Sequence, residues 1–333
     1  EISACLVGSE MCIRDSNSVV SSINKELKTN LVVGDDDALN TVRIPTGMPA
    51  LDRMLGGGVP RRAVTELFGY QSSGKTYISQ RIIAHAQTLG YTCGFIDAEF
   101  SYDPEWSANI GIVTKDLIVS RPDTGERALD VLLALCEQGI DLVVLDSIAA
   151  LLPTAEAKEG MDHLSIGLQA RLMNQLFRKL APSNDNTAVI LINQIRAGIG
   201  GYITRDALPG GKGQEFFSRI IVRVKKGETI GEQKDPQGFF IEMKAEKNKT
   251  YTPLLTSSVP FYYTGLSNPI YEAFMLASDL GVIVRNGPQY TYPDKETGEI
   301  LHKALGREKF LQLMKDDESL RTSIEDEIRS KGL

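Results

Sequence analysis

The sequence predicts an α/β fold with a mostly parallel β-sheet, an antiparallel extension, a small N-terminal helical segment and a small α/β C-terminal domain. Three observations predict it. Continuous apolar runs of strand length alternate with amphipathic helical patterns, as in sheets buried on both faces. A glycine-rich phosphate-binding motif stands between the first such run and a helix. The later apolar runs follow one another without long helices between them, which indicates antiparallel strands.

The elements follow from the pattern in chain order. Strand-like runs occupy 63–68, 92–97, 117–120, 141–146, 188–193, 219–224 and 239–245. Helical patterns lie at 75–89, 125–138 and 165–181, and end at Gly90, Gly139 and Pro182. Strand–helix alternation over this stretch predicts right-handed crossovers between parallel strands.

Composition limits the classes of function. The chain has 333 residues, 42% of them hydrophobic and 24% charged, as in a globular protein with one large and one small domain. No apolar run approaches the roughly 20 residues of a membrane helix, which predicts no membrane partner. The net charge of −7 means that a polyanion would need a local basic surface. Four cysteines without a C-x-x-C pair fit reduced thiols in the cytoplasm.

The stretch "FGYQSSGKTYIS" carries the first chemistry. Its G-x-x-x-x-G-K-T motif follows a strand and opens a helix, the context of a phosphate-binding loop. Lys75 is expected to reach the β- and γ-phosphates, and Thr76 to ligate Mg²⁺. The nucleotide-binding stretch comprises Gly69, Tyr70, Gln71, Ser72, Ser73, Gly74, Lys75, Thr76 and Tyr77.

Acidic and amide side chains follow three other strands. Asp146 ends "LVVLD", where an acid supports Mg²⁺, although an aspartate there also suits a helix N-cap. Asp97 and Glu99 follow "GFI", and Glu99, just beyond the strand, is the better candidate general base; its alternative is a solvated loop acid. Asn193 and Gln194 in "LINQIR" supply an amide that can sense the γ-phosphate and signal to the next loop.

Two loops suit nucleic acid. The long glycine-rich loop after Gln194 mixes cations with apolar and aromatic side chains, a composition that binds phosphates and wedges against bases, although a mobile surface loop has it too. The loop at 152–167 leads into a helix on which Arg171 and Arg178 share a face, which a solvated helix also shows. The candidates in the glycine-rich loop are Arg196, Ile199, Tyr202, Arg205 and Lys212.

Together these motifs resemble the RecA family of DNA strand-exchange ATPases from about Thr46 to Lys249, and more weakly to the end. The resemblance rests on "SSGKT", "FIDAEFSYDP", "RPDTGERALD", "VVLDSIAALLP", "INQIR" and "EKNK" in this order. It implies the same roles for Lys75, Thr76 and Asp146. It also implies that Glu99 is the catalytic glutamate and Gln194 the γ-phosphate sensor.

The resemblance adds further roles. Ile199 takes the position that inserts between base triplets, and Arg171 and Arg178 take positions that contact the DNA backbone. Asp103 and Trp106 match an adenine-facing pair, and Tyr263 matches a base-contacting tyrosine. Lys247 and Lys249 match lysines that act on the γ-phosphate of a neighbouring subunit, whereas their spacing alone favours a solvated strand edge.

Several features depart from the family pattern. Glu215 stands where bacterial members usually have lysine, with a lysine shifted to 212. The loop near 155–166, which matches the first DNA loop of the family, diverges and has a small insertion, and the N-terminal helix is short. Tyr70 and Gln71 replace the commoner proline and glutamate. These departures indicate a divergent, phage-type member.

The predicted function is an ATP-dependent recombinase that forms a helical filament of its own copies on single-stranded DNA, pairs it with homologous duplex DNA and hydrolyses ATP with Mg²⁺. Two alternatives stay open: a RecA-fold motor or helicase, and a mediator filament without hydrolysis. The predicted divisions are 1–16, a foreign leader without an initiating Met; 17–45, an oligomerisation segment and linker; 46–267, the ATPase core; and 268–333, the C-terminal domain.

Overall fold

The computed structural model describes residues 16–29, 31–34, 36, 39–158, 167–195, 213–232 and 234–331. Its helices are α1 Ser16–Leu27, α2 Pro49–Leu55, α3 Lys75–Thr88, α4 Pro104–Ile110, α5 Gly125–Glu137, α6 Thr154–Lys158, α7 Leu168–Ser183, α8 Gly213–Phe217, α9 Pro269–Asp279, α10 Arg307–Asp316 and α11 Glu318–Ser330. Its strands are β1 Arg43–Ile44, β2 Val59–Pro60, β3 Ala63–Gly69, β4 Cys93–Asp97, β5 Leu117–Ser120, β6 Leu142–Asp146, β7 Ala188–Gln194, β8 Ile220–Glu232, β9 Asp235–Asn248, β10 Thr256–Tyr262, β11 Val284–Asn286, β12 Gln289–Pro293 and β13 Ile300–Leu305.

The chain divides into two units at Val42. In the first, α1 is followed by a turn that the Asn24 side chain closes: its amide donates to the Leu31 carbonyl, and its oxygen accepts from the Leu31 N–H. None of the described residues of α1 is buried. The expected oligomerisation role of residues 17–45 stays a prediction.

An eight-stranded sheet organises the second unit, in the order β10-β9-β8-β3-β7-β6-β4-β5. The strands from β8 to β5 run parallel, and β9 and β10 add the antiparallel extension. The predicted fold class is therefore confirmed. The strand at 220–232 belongs to the parallel part, because it pairs with β3 in parallel, and only β9 and β10 reverse direction.

Both faces of this sheet are buried, as the continuous apolar runs predict. Side chains alternate between two cores along each central strand: Leu142 and Val144 enter one, Val143 and Leu145 the other. Helices α2 and α3 contribute to the first core, and α5 and α7 to the second. Because the parallel strands run in one direction, their carboxyl ends lie at one edge of the sheet, and the polar residues that follow them collect there.

Helix α7 extends one residue beyond the predicted stop at Pro182, which lies inside its last turn. The prediction was wrong there because proline is excluded mainly by the hydrogen bond it cannot donate and by ring clash with the preceding turn, and the chain tolerates both in a terminal turn. Asn184 follows as the C-cap, and its N–H donates to the Leu180 carbonyl.

The C-terminal part contains α9, α10, α11 and a small antiparallel sheet in the order β11-β12-β13. It has its own apolar cluster, centred on Phe274, Phe310 and Ile324. A buried ion pair joins α9 to α3: Arg81 contacts Glu272 at 3.0 Å and also donates to the Tyr77 hydroxyl at 3.2 Å. The predicted domain boundary near 268 stays a prediction. In the described part of the chain, no helix is both long and apolar enough to cross a membrane.

Candidate nucleotide-binding site

The glycine-rich loop joins the end of β3 to the start of α3. Gly69 passes so close to the neighbouring strand that a Cβ there would lie 2.1 Å from the Val224 carbonyl oxygen. Gly74 is the N-cap of α3 with φ of +96°, and a Cβ there would lie 2.3 Å from Ile241 Cδ1. Glycine is therefore required at both ends of the loop. The first turn of α3 has N–H groups without intrahelical acceptors, which suit an anion.

Lys75, the first residue of α3, folds back over this loop. Its ammonium donates to the Gly69 carbonyl at 3.1 Å and to the Tyr70 carbonyl at 2.8 Å. Burial lowers the pKa of Lys75, while the negative charges of Asp146 and Glu99 oppose that shift. The lysine is thus held beside the space where a phosphate would bind.

Thr76 and Asp146 face each other across α3 and β6. The threonine hydroxyl donates to Asp146 Oδ2 at 2.6 Å. Burial raises the pKa of Asp146 to about 7, and the hydrogen bond from Thr76 works in the opposite direction. A hydroxyl and a carboxylate at this distance are the oxygen ligands that Mg²⁺ takes in such sites, so the residues fit the ion.

Glu99 lies next to this pair. Gln194 Nε2 donates to Glu99 Oε1 at 2.5 Å, and the Ser147 hydroxyl donates to the same oxygen. The Glu99 N–H donates to the Asp146 carbonyl at 3.2 Å. The ends of β4, β6 and β7 therefore bring the predicted base, metal ligand and sensor to one place.

A cleft of about 590 Å³ opens over these groups. Its wall runs from the phosphate-binding loop to an aromatic side built by Trp106, Phe239, Phe261 and Tyr263. Phe261 packs against Tyr77 with ring centroids 4.7 Å apart, and against Phe239 at 4.9 Å. The cleft thus has a polar end with a lysine that suits phosphates and an aromatic end that suits a nucleobase.

Comparison with known proteins agrees with this architecture. The family model of the RecA N-terminal domain matches residues 15–267. Protein RecA of Thermotoga maritima is 37% identical, with 96% of this chain and 92% of the relative covered. Protein RecA of Thermus aquaticus is 36% identical, with 95% and 92% covered. Protein RecA of Heliobacterium modesticaldum is 39% identical, with 86% and 83% covered.

The chain belongs to the RecA family. It is a RecA-type recombinase and a DNA-dependent ATPase with a P-loop fold, and it acts in DNA recombination and repair. Membership implies nucleotide binding, single-stranded DNA binding and oligomerisation.

Of the three residues that the resemblance assigns to the nucleotide's adenine, two line the cleft and one does not. Trp106 and the half-exposed Tyr263 line the aromatic end of the cleft. Asp103 is instead the N-cap of α4, and its carboxylate accepts from the N–H groups of Glu105 at 2.8 Å and Trp106 at 3.1 Å. Asp103 is not among the described residues that line the cleft.

Among the described residues that line the cleft, six were not predicted from the sequence: Gln80, Ser101, Ile192, Lys226, Phe239 and Phe261. The Lys226 ammonium lies 4.7 Å from the Phe239 ring centroid. A signal existed in the alternation of β8, since Val222 and Val224 face the core below the cleft and Lys226 continues on their face. Lys226 thus adds a positive charge beside the glycine-rich loop.

The neighbouring candidates Asp97 and Asn193 make contacts within the fold and are not among the described residues that line the cleft. Asn193 is buried and donates to Glu66 and to Gln214, each at 2.9 Å. Asp97 is fully buried and accepts hydrogen bonds from the loop that follows it and from Arg121. Of each strand-end pair, the structure therefore turns the second member, Glu99 or Gln194, towards the cleft.

Lys247 and Lys249 are not among the described residues that line their own protomer's cleft. The Lys247 ammonium donates to the carbonyls of Glu215 and Ser218, the latter at 2.5 Å, around the end of α8. Lys249 is exposed and borders a neighbouring groove with Phe216 and Phe217.

The predicted DNA-binding residues divide into two groups. Arg171 and Arg178 are exposed on α7, and Arg178 donates to the Asn174 carbonyl at 3.3 Å. The candidates of the glycine-rich loop lie outside the described residues, as do residues 159–166 of the predicted first DNA loop at 155–166. These are Arg196, Ile199, Tyr202, Arg205 and Lys212.

Proposed function

We propose that the cleft binds ATP with Mg²⁺ and that the chain hydrolyses it during strand exchange. The observation that carries this proposal is the hydrogen-bonded group around the glycine-rich loop, in which Thr76 meets Asp146 at 2.6 Å and Gln194 meets Glu99 at 2.5 Å. Lys75 and the loop amides bind the phosphates, and Thr76, supported by Asp146, holds the metal. Bound Mg²⁺ would neutralise charge on the phosphate oxygens.

Glu99 is the general base in this proposal. Its carboxylate accepts two side-chain hydrogen bonds, which orient it towards the cleft, and the remaining oxygen is available to take a proton from water. Trp106 and Tyr263 stack on the adenine, and Asp103 holds Trp106 in place by capping α4.

Gln194 is the proposed sensor. In the structure its amide donates to Glu99, and a γ-phosphate would compete for that donor. Because Gln194 ends β7 and the candidate DNA loop follows it directly, a shift of this amide would move the start of that loop. Nucleotide and DNA affinity would therefore be linked.

The proposed assembly is a helical filament of this chain on single-stranded DNA that pairs with homologous duplex DNA in the cytoplasm. Lys247 and Lys249 would act on the γ-phosphate of a neighbouring copy, consistent with their position away from their own cleft. Arg171, Arg178 and the loop from Arg196 to Lys212 would contact DNA, mainly at phosphates. Residues 17–45 would contribute to assembly.

ATP hydrolysis measured with and without single-stranded DNA, followed by strand exchange with matched and mismatched duplexes, tests the proposal. We expect stimulation by single-stranded DNA and exchange only with the matched duplex. Lys75→Ala should abolish hydrolysis. Absence of DNA stimulation in the wild-type chain would contradict the proposal, as would equal exchange with both duplexes.

A further inference from the structure

The loop that carries Glu99 is closed by a polar clip of two side chains, Asp97 and Arg121. Asp97 ends β4 and is fully buried. Its carboxylate accepts from the Ser101 N–H at 2.9 Å and from the Tyr102 N–H at 3.0 Å. Arg121 Nε donates to Asp97 Oδ2 at 3.0 Å, and Arg121 Nη2 donates to the Tyr102 carbonyl at 2.6 Å. One carboxylate and one guanidinium thus bind both backbone polar groups of Tyr102, its N–H and its carbonyl.

The clipped segment contains a backbone turn that requires support. Phe100 has φ of +56°, in the left-handed region, and its side chain is 60% exposed. A bulky residue in that conformation is strained and persists only where surrounding contacts determine it. The contacts on its C-terminal side are those of Asp97 and Arg121 with Ser101 and Tyr102.

The same segment carries both functional ends of the cleft. Glu99 precedes Phe100, and Tyr102 is followed by Asp103, the N-cap that positions Trp106. The Tyr102 ring also packs against Phe95 of β4, with centroids 5.5 Å apart. A displacement of Tyr102 would therefore move the base on one side and the stacking indole on the other.

We propose that Arg121 is a positioning residue for nucleotide hydrolysis, which acts through Asp97 and Tyr102 to set Glu99 and Trp106 in the cleft. The guanidinium itself does not line the cleft in the described part of the chain. It is suited to this role because its planar fork reaches a carboxylate and a carbonyl at once, which the single ammonium of lysine does not reproduce. The proposal rests on the proposed role of Glu99 as the base.

Arg121→Ala and Arg121→Lys test it, with Arg127→Ala as the matched control. Arg127 also pairs with an aspartate, Asp123, at 3.3 Å, but both side chains are exposed on and beside α5. Trp106 is the only tryptophan of the chain and lies in the first turn of α4, just after the clipped segment, so its fluorescence reports on the indole that the clip is proposed to position. The side chain of Arg121 is 48% exposed, and its removal leaves the cores intact.

Three measurements are needed: acrylamide quenching of Trp106 in the nucleotide-free protein, kcat and KM of DNA-stimulated ATP hydrolysis, and thermal unfolding. We expect Arg121→Ala to increase quenching, to lower kcat about tenfold through misplacement of Glu99, and to raise KM less. Arg121→Lys should be intermediate, and Arg127→Ala should behave as wild type. Arg127→Ala should keep the wild-type unfolding temperature within about 2 °C, since surface changes of this kind have small effects. Arg121→Ala removes the partner of the fully buried Asp97 carboxylate and should lower the unfolding temperature, so quenching and rates are compared well below it.

The outcomes separate this inference from the function on which it rests. Equal quenching in Arg121→Ala and Arg127→Ala would overturn the clip, whatever the rates. Increased quenching with unchanged kcat would show a structural contact without a positioning role, and would also overturn it. If Glu99→Gln, measured in parallel, still hydrolyses ATP, the assigned base is wrong, while the quenching result still decides whether the clip exists.

Discussion

The side-chain amide of Gln194 donates a hydrogen bond to the carboxylate of Glu99 at 2.5 Å. These residues are separated by 95 positions in the chain. Gln194 ends β7, whereas Glu99 lies two residues beyond the end of β4, and β6 runs between these two strands. The contact therefore joins the proposed sensor directly to the proposed base, and a ligand that takes the amide also changes the surroundings of the carboxylate.

Glu99→Gln is expected to abolish hydrolysis while nucleotide and DNA binding persist. The amide has the size of the carboxylate and its oxygen still accepts from Gln194 and Ser147, but it cannot take a proton from water. We expect a loss of about 10²- to 10⁴-fold in hydrolysis. Hydrolysis assays and the anisotropy of labelled single-stranded DNA with ATP measure the two effects. A variant that retains turnover would refute the assignment.

Asp146→Asn should selectively weaken the affinity of the site for Mg²⁺. Asp146 accepts the Thr76 hydroxyl hydrogen bond, and loss of such a supporting carboxylate typically costs 10- to 100-fold in metal affinity. A titration of Mg²⁺ against nucleotide binding should shift by about that factor. Asp141→Asn is the control, since Asp141 lies just before the opposite end of β6 and pairs with Arg61. An equal shift in both variants would argue against a role for Asp146 at the metal.

Lys226→Ala should raise the KM for ATP, and Lys225→Ala should not. Lys226 lines the cleft over Phe239, whereas Lys225 lies on the opposite face of β8 and borders a different groove. A partly screened cation beside phosphates contributes about 1 kcal/mol, or roughly fivefold in KM. Steady-state kinetics over a range of salt concentrations measures it. The same KM in the two variants would exclude a nucleotide contact by Lys226.

Breaking the pair of Arg81 with Glu272 should destabilise the chain strongly. Both side chains are buried, so Glu272→Leu or Arg81→Met leaves an uncompensated charge and should lower the free energy of unfolding by about 3–5 kcal/mol. The double variant Arg81→Met/Glu272→Leu should recover part of the loss. Urea unfolding of the four proteins completes the cycle. If the free energy of unfolding of each single variant lies within about 1 kcal/mol of the wild-type value, the pair is solvated and contributes little.

Glu66→Gln should stabilise the chain at alkaline pH and leave it unchanged at acidic pH. Burial raises the pKa of Glu66 to about 7, against a usual 4.5, although Asn193 and Ser218 hydrogen bonds oppose the shift. Glu215 adds to the rise and Lys247 opposes it. Because the folded chain holds this proton more tightly, stability is full below pH 4.5 and falls as pH rises to about 7.

Above pH 7, ionisation of Glu66 should lower the free energy of unfolding of the wild-type chain by about 3 kcal/mol, and the glutamine variant should not show this loss. Unfolding temperatures at pH 5 and pH 8 for wild type and Glu66→Gln measure the difference. Glu228→Gln, a change at an exposed acid of β8, is the control and should show no such difference. A glutamine variant that is no more stable than wild type at pH 8 would contradict a raised pKa.

The chemistry of the site was accessible from local spacing. The glycine-rich motif, the acids after two strands and the amides after a third are local patterns, and parallel strands must end at one edge of a sheet. That reasoning identified Lys75, Thr76, Asp146, Glu99 and Gln194, and the structure brings these side chains together. It also identified the fold class, since alternating buried runs and amphipathic helices leave few other arrangements.

The sequence by itself therefore determined the α/β fold, the family and the types of residue that meet phosphate and metal, because these follow from periodicity and short motifs. Only the tertiary structure decided which member of each strand-end pair faces the cleft, placed Lys226 and Phe239 in its wall, and joined Arg121 to Asp97. Those features depend on contacts between residues far apart in the chain, and a side chain's direction at a strand end is set by packing against its neighbours, which no local pattern contains.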